Sequence, residues 1–206
     1  PVKSYEGNIV SFNLCTEETS KLKSIAETEG ATLYMVLLSI YNVLLSKLSN
    51  QEDIVVGTPI AGRGHTDLEN MIGMFVNTLP LRNYPKGELS FKKFLSEVKS
   101  KTLACFENQS YQYEELIDKL KVVRDTSRNP LFDVMFVFQN FEREELKILG
   151  LTLKPYYNEH TVSKFDLTLT AEESQGQIFL TFEYSTGLFR KETIERFIIY
   201  YKTIVS

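Results

Sequence analysis

The chain has two cysteines, two histidines and no tryptophan among its 206 residues. Cys15 and Cys105 sit among apolar residues, so they read as reduced, buried thiols and not as a disulfide framework. His65 and His160 neighbour neither each other nor a cysteine at ligand spacing, so no metal site is expected. There is no G-x-S-x-G elbow and no P-loop. Ala61-Gly62-Arg63-Gly64 lacks the third glycine of a dinucleotide fingerprint. A triad assembled in space stays open on spacing alone. Glu114-Glu115 and Glu144-Glu145 lie in polar stretches and read as solvated faces, not acid–base pairs. Neither sign of charge accumulates: 27 acidic and 23 basic residues leave a net −4. With no basic block, nucleic acid is not an expected partner. The longest apolar stretch, residues 33–48, is interrupted by Ser39, Asn42, Ser46 and Lys47, too polar for a membrane span. The polar opening, residues 1–7, is not a signal peptide, and the cytoplasm is the expected location. A chain beginning at Pro1 reads as cut from a longer polypeptide.

What is present suits a folded domain. With 43% hydrophobic residues, a chain of this length buries about 70% of its unfolded surface without covalent staples. Residues 9–14 alternate weakly and predict a strand. Thr16 offers a cap for the helix that follows, with Glu17 and Glu18 favourable to its dipole. Gly30 fits that helix's stop. Thr32 caps a second helix, apolar on most faces and therefore central. Strands are predicted over residues 54–60, 75–81, 132–138, 149–156, 165–171 and 178–184. Ser174-Gln175-Gly176 reads as a hairpin turn. Ser90 precedes an amphipathic helix with Phe91, Phe94, Leu95, Val98, Thr102, Cys105 and Phe106 on one face. A short helix is expected over residues 113–120 and a closing one over 190–205. No linker divides the chain. The expectation is one α/β domain over residues 1–206, a two-layer sandwich of a mixed sheet with packed helices.

Three stretches combine polar and apolar residues in a way that needs explaining. In Ile72-Gly73-Met74-Phe75-Val76-Asn77-Thr78-Leu79-Pro80-Leu81-Arg82, Gly73 permits close backbone approach. Phe75 and Val76 suit a buried strand, and Asn77 and Thr78 put polar groups beside it. Such a pair needs partners: internal hydrogen bonds, or a substrate channel. Arg82 suits a carboxylate contact. In Arg124-Asp125-Thr126-Ser127-Arg128-Asn129-Pro130-Leu131, Asp125 and Ser127 turn the chain by bonding nearby backbone. Pro130 turns Asn129 away from helix. Arg124 and Arg128 suit acidic partners, in a rigid loop feeding the next strand. The third stretch, Asn108-Gln109-Ser110-Tyr111-Gln112-Tyr113-Glu114, lies between them.

The first stretch closely resembles the condensation-domain motif I/V-G-x-F-V-N-T-x-x-x-R of nonribosomal peptide synthetases. The second resembles R-D-x-S-R-N-P-L at every fixed position. The third resembles the weaker H/N-Q-x-Y-P-F-E, with Gln112 for proline and Tyr113 for phenylalanine. Phe132-Asp133-Val134-Met135-Phe136, Phe138-Gln139-Asn140 and Tyr184-Ser185-Thr186-Gly187-Leu188-Phe189 are also similar to the family, so the resemblance spans the chain. All of these motifs belong to the family's C-terminal half.

The resemblance implies one lobe of a chloramphenicol-acetyltransferase-like pseudo-dimer with a tunnel between its lobes. It implies amide formation between two acyl groups tethered as thioesters to phosphopantetheine arms, with no cofactor bound directly. The implied partners are the N-terminal lobe, carrier domains and a neighbouring adenylation domain. The histidine pair H-H-x-x-x-D-G belongs to the other half and is missing here, so this lobe holds no catalytic residue and is expected to be inactive alone. Gly73, Phe75, Asn77, Thr78 and Arg82 are its candidates for the tunnel, Asn77 foremost. Arg124, Asp125, Ser127, Arg128, Asn129 and Pro130 form the structural motif. An epimerization or heterocyclization relative, a carrier-docking module without chemistry, and an acyltransferase relying on His160 are the alternatives.

Overall fold

Thr32 accepts a hydrogen bond from the Met35 amide at 3.3 Å and starts the helix on which the core is built. That helix, α2 (Leu33–Ser49), follows β1 (Gly7–Leu14) and α1 (Thr16–Thr28). Then come β2 (Ile54–Ile60), β3 (Asn77–Asn83), α3 (Phe91–Glu107), α4 (Tyr113–Leu120), β4 (Val134–Gln139), β5 (Leu167–Ser174), β6 (Gln177–Ser185) and α5 (Lys191–Val205). A computed structural model describes residues 4–68, 71–123, 125–139, 151 and 162–206. The strand predicted over residues 149–156 lies outside the described residues except for Leu151.

The sheet has six strands in the order β1-β6-β5-β4-β2-β3. β2/β4 and β4/β5 pair in parallel and the other neighbours antiparallel, so the sheet is mixed. Alternate residues on one face, among them Val56, Leu81, Phe136, Leu169, Leu180 and Phe182, form a continuous core with α2. α2 also packs on α1, α3 and α5. This is the expected two-layer α/β arrangement. Burying each large aliphatic chain contributes about 1.5–3 kcal/mol. The polar interruptions in α2 are tolerated by bonding backward along the helix: Ser39 Oγ donates to the Met35 carbonyl at 2.7 Å, and Asn42 Nδ2 to that of Leu38 at 2.8 Å. Among the described residues no single helix is long and apolar enough to cross a membrane.

Several expectations shift by a residue or two, each for a physical reason. Residues 54–60 and 113–120 form the expected elements with the expected bounds. At the turn between β5 and β6, Gln175 and Gly176 both have positive φ, 51° and 73°, as a two-residue hairpin of this hand requires. The cap of α1 is Cys15, not Thr16; its amide donates to the Glu18 carboxylate at 2.7 Å. Cys15 is therefore exposed, against expectation, because it stands at a helix end outside the core. Cys105 is half-buried on α3, and burial pushes its thiol pKa up. β3 begins at Asn77, not Phe75. Ile60, the last residue of β2, pairs with Asn77, and Gly62 at φ 65° then turns the chain away. Among the described residues Phe75 and Val76 pair with no strand, and Val76 is exposed, not buried. β4 begins at Val134, not Phe132, and β5 at Leu167, not Phe165. The rings of Phe132 and Phe165 leave the ladder and stack on each other at 5.7 Å. Phe132 also lies over Gly57, where an added Cβ would meet the ring at 2.1 Å.

Candidate functional site

The three unusual stretches converge near the start of β3. Asn77 is buried, and its amide nitrogen donates to the carbonyls of Gln109 at 3.0 Å and Tyr111 at 2.8 Å. Its oxygen accepts from the Thr78 amide at 2.8 Å. One side chain thus clamps the turn between α3 and α4 onto the edge of the sheet. Both amide hydrogens are used internally, as the structural reading of Asn77 requires. α4 is then held by Tyr113, whose ring packs on Phe132 at 5.6 Å. Burial pushes the Tyr113 phenol up, while a hydrogen bond with the Leu131 backbone opposes the shift.

Leu131 and Phe132 close the second stretch. Asp125 accepts at one carboxylate oxygen from the Ser127 amide at 2.8 Å and the Ser127 hydroxyl at 2.7 Å. These bonds hold the Asp125 carboxyl below its ordinary pKa. The Arg128 amide donates to the Asp125 carbonyl at 3.2 Å. Its guanidinium reaches Asp133 at 2.9 and 3.2 Å, and the Asn129 amide donates to the other Asp133 oxygen at 3.0 Å. Asp133 is the acidic partner that Arg128 called for, and it organises the whole turn. Arg124 lies outside the described residues, as does His160.

Thr78 and Pro80 on β3, Cys105 and Asn108 on and after α3, and Tyr111, Tyr113 and Leu116 line a cleft of about 200 Å³. Asp125, Thr126, Pro130 and Ile117 line another of about 250 Å³. The site is mostly apolar, with backbone and hydroxyl groups at its margins. No carboxylate, lysine, arginine or histidine of the described residues lines the cleft of about 200 Å³. Among the described residues, no three His, Cys, Asp or Glu side chains gather as metal ligands.

The other candidates stand apart. Arg82 lies five residues along β3 from Asn77, about 17 Å away. It binds Asp53 through two hydrogen bonds, 2.8 and 2.6 Å, which lower the Asp53 pKa and raise that of Arg82. Arg82 is thus occupied in tying β3 to the start of β2. Gly73 is exposed and adjoins only the ring of Phe75; the close backbone approach occurs at Gly62 instead. His65 is exposed and faces Asp67 at 3.3 Å. Ile72, Met74 and Val76 point outward, at 104%, 93% and 58% exposure. They form an apolar rim between β2 and the Asn77 clamp.

Sequence reasoning overlooked Asp133 and Arg63. An acidic residue at the end of an arginine-containing turn was the available signal for Asp133. No sequence signal distinguished Arg63, whose bonds depend on the path of the loop.

The family described as "Condensation domain" matches residues 1–206. Gramicidin S synthase 2 from Brevibacillus brevis is 50% identical over 206 residues, which are 100% of this chain and 5% of that protein. Bacitracin synthase 3 from Bacillus licheniformis is 53% identical over 194 residues, 94% of this chain and 3% of that protein. The chain therefore spans a small part of each of these relatives. Among solved structures, a four-domain nonribosomal peptide synthetase bound to AMP and glycine superposes with a TM-score of 0.88 at 25% identity. The match covers 99% of this chain and 17% of that one. The condensation domain from Monacolin K polyketide synthase shares the fold, with a TM-score of 0.82 at 18% identity. There the match covers 97% of this chain and 46% of that one.

Proposed function

Because this chain belongs to the condensation-domain family, we propose that it is the C-terminal lobe of a condensation domain in a nonribosomal peptide synthetase. In this reading the complete domain joins two acyl groups, each held as a thioester on a carrier's phosphopantetheine arm. The acceptor amine attacks the donor thioester carbonyl, the amide forms, and the donor thiol leaves. Holding both reactants in place lowers the barrier through effective concentration. This lobe supplies a wall of the tunnel and surfaces for the acceptor side and the carriers. The histidine that handles the amine's proton belongs to the N-terminal lobe, so this lobe alone is inactive.

The observation that carries the reading is the family match over residues 1–206 together with motifs of only one half. Its coverage of about half the chain of a solved condensation domain agrees with a single lobe. The exposed rim at Ile72, Met74 and Val76 agrees with a surface that another lobe covers. The Asn77 clamp fits a wall of fixed shape more than a group that reacts. Gly73, Phe75 and Thr78 are the better candidates for facing the tunnel, while Arg82, Asp125, Ser127, Arg128, Asn129 and Pro130 act through the framework.

The test supplies loaded donor and acceptor carriers to the full parent polypeptide and, separately, to residues 1–206. The expected result is a dipeptidyl carrier, read by intact-protein mass spectrometry, from the parent only. Product from residues 1–206 alone overturns the claim that the lobe is inactive. No product from the parent with its matched carriers overturns condensation and favours a carrier-docking role without chemistry.

A further inference from the structure

Ala61-Gly62-Arg63-Gly64 resembles no phosphate-binding loop, yet two of its residues, Gly62 and Arg63, contact the segment leading to Asn77. Gly62 has φ 65°, and a Cβ there would lie 1.7 Å from the Phe75 carbonyl oxygen. Only glycine lets the two ends of the segment meet so closely. The Arg63 guanidinium then reaches back into the loop. It donates to the Leu68 carbonyl and, at 2.8 Å, to the Met71 carbonyl. Its carbon lies 4.6 Å from the centre of the Phe75 ring. Cation–π contact and charge-assisted hydrogen bonds together fix the loop from inside.

Ile72 and Met74 thus lie between the Met71 carbonyl, bonded by Arg63, and Phe75, packed on Arg63 and Gly62, while Val76 lies between Phe75 and the Asn77 clamp. Loose apolar side chains in water collapse or move; these are held outward. We propose that Gly62 and Arg63 are positioning residues that hold this rim, and with it the tunnel side of Phe75, in the shape needed for condensation. The inference rests on the tunnel-wall reading above. It adds that the productive geometry depends on an arginine that touches neither substrate nor carrier. Arg63 Nη1 alone serves both carbonyls, and arginine suits the place because its guanidinium plane lies on the Phe75 ring at the same time, where a lysine offers only a compact, strongly hydrated point charge.

Two readouts test this. The first is amide hydrogen exchange of residues 1–206, which needs no activity. The Leu68 amide bonds the His65 carbonyl at 3.0 Å and the Met71 amide bonds that of Leu68 at 3.2 Å. In Arg63→Ala these two amides should exchange faster by about tenfold or more, while those of α2 are unchanged. Unchanged exchange at both amides overturns the positioning role. The second readout is turnover by the full parent polypeptide. Arg63→Ala and Gly62→Ala should lower kcat on the order of ten- to hundredfold. KM for loaded carriers should stay near the wild-type value. Arg63→Lys, which keeps the charge but not the planar guanidinium on the Phe75 ring, should recover part of the loss. His65→Ala, which removes only an exposed imidazole that accepts from the Asp67 amide and keeps every contact of Arg63 and Gly62, should turn over as wild type. Wild-type kcat in Arg63→Ala, or an equal loss in His65→Ala, overturns the inference while leaving the condensation reading intact. A wild-type parent that forms no amide overturns that reading, and the exchange experiment still decides whether Arg63 holds the loop.

Discussion

α2 and the rim before β3 are both rich in apolar residues, and they meet opposite fates. Val36, Leu37 and Leu38 in α2 are fully buried against the sheet, α3 and α5. Ile72 and Met74 are almost completely exposed. Hydrophobicity is similar in the two places; what differs is whether the same chain supplies a cover. α2 completes its burial within the fold, so its residues decide stability. The rim is left uncovered by the described residues, so its side chains are available to another surface.

The largest predicted effect is on the α2 side. Leu37→Ala should cost about 2–5 kcal/mol in denaturant unfolding. Ile72→Ala should stay within about 0.5 kcal/mol of wild type. Equal losses would mean that the rim is buried and would break the comparison. Gly57→Val comes next: its Cβ would strike the Phe132 ring, and overpacking of this kind costs about 1–3 kcal/mol. Shifting Phe132 should also loosen Tyr113 and α4, visible as faster amide exchange there. Asn77→Ala leaves the Gln109 and Tyr111 carbonyls without their donor, for a loss of about 1–2 kcal/mol. That loss, with α2 exchange unaltered, would place Asn77 in the framework joining the two regions.

The smallest effect is electrostatic. Asp53 should titrate below the ordinary carboxylate value of about 3.9, and Arg82→Gln should return it there. Because the folded-state pKa is depressed, the contribution is fully present above the unfolded value and vanishes as pH falls through the folded one. Wild type and Arg82→Gln should therefore converge in stability below that lower pKa and differ by a constant amount near neutrality. Both side chains are largely exposed, so added salt should shrink the difference. A carboxyl resonance of Asp53 that titrates alike in both proteins would remove the pair from the account.

Much of the fold was legible because local rules and burial agreed. Residues 54–60 are short, β-branched and bounded by turn residues, and they form β2 with those bounds. Ser90 and Thr32 cap the helices that follow them. The misplacements occurred where tertiary contacts overrode local pattern. Phe75-Val76 and Phe132 have strong strand preference, but each lies beyond the end of its available ladder. Cys15 had apolar neighbours but stands at a helix end. The site was legible as motifs, not as geometry: Asn77, Asp125 and Arg128 drew attention in the sequence, whereas Asp133 and Arg63 act through bonds that only the folded loops create.

By itself the sequence determined the α/β class, the central helix, most element positions and the family, because periodicity, caps and motif residues are local records of burial and turning. Tertiary structure alone decided that Asn77 clamps the α3–α4 turn, that Arg82 is occupied by Asp53, and that Arg63 bonds the Leu68 and Met71 carbonyls beside an outward-facing apolar rim. Hydrogen bonds between segments tens of residues apart depend on where the chain is brought, and no local pattern carries that information.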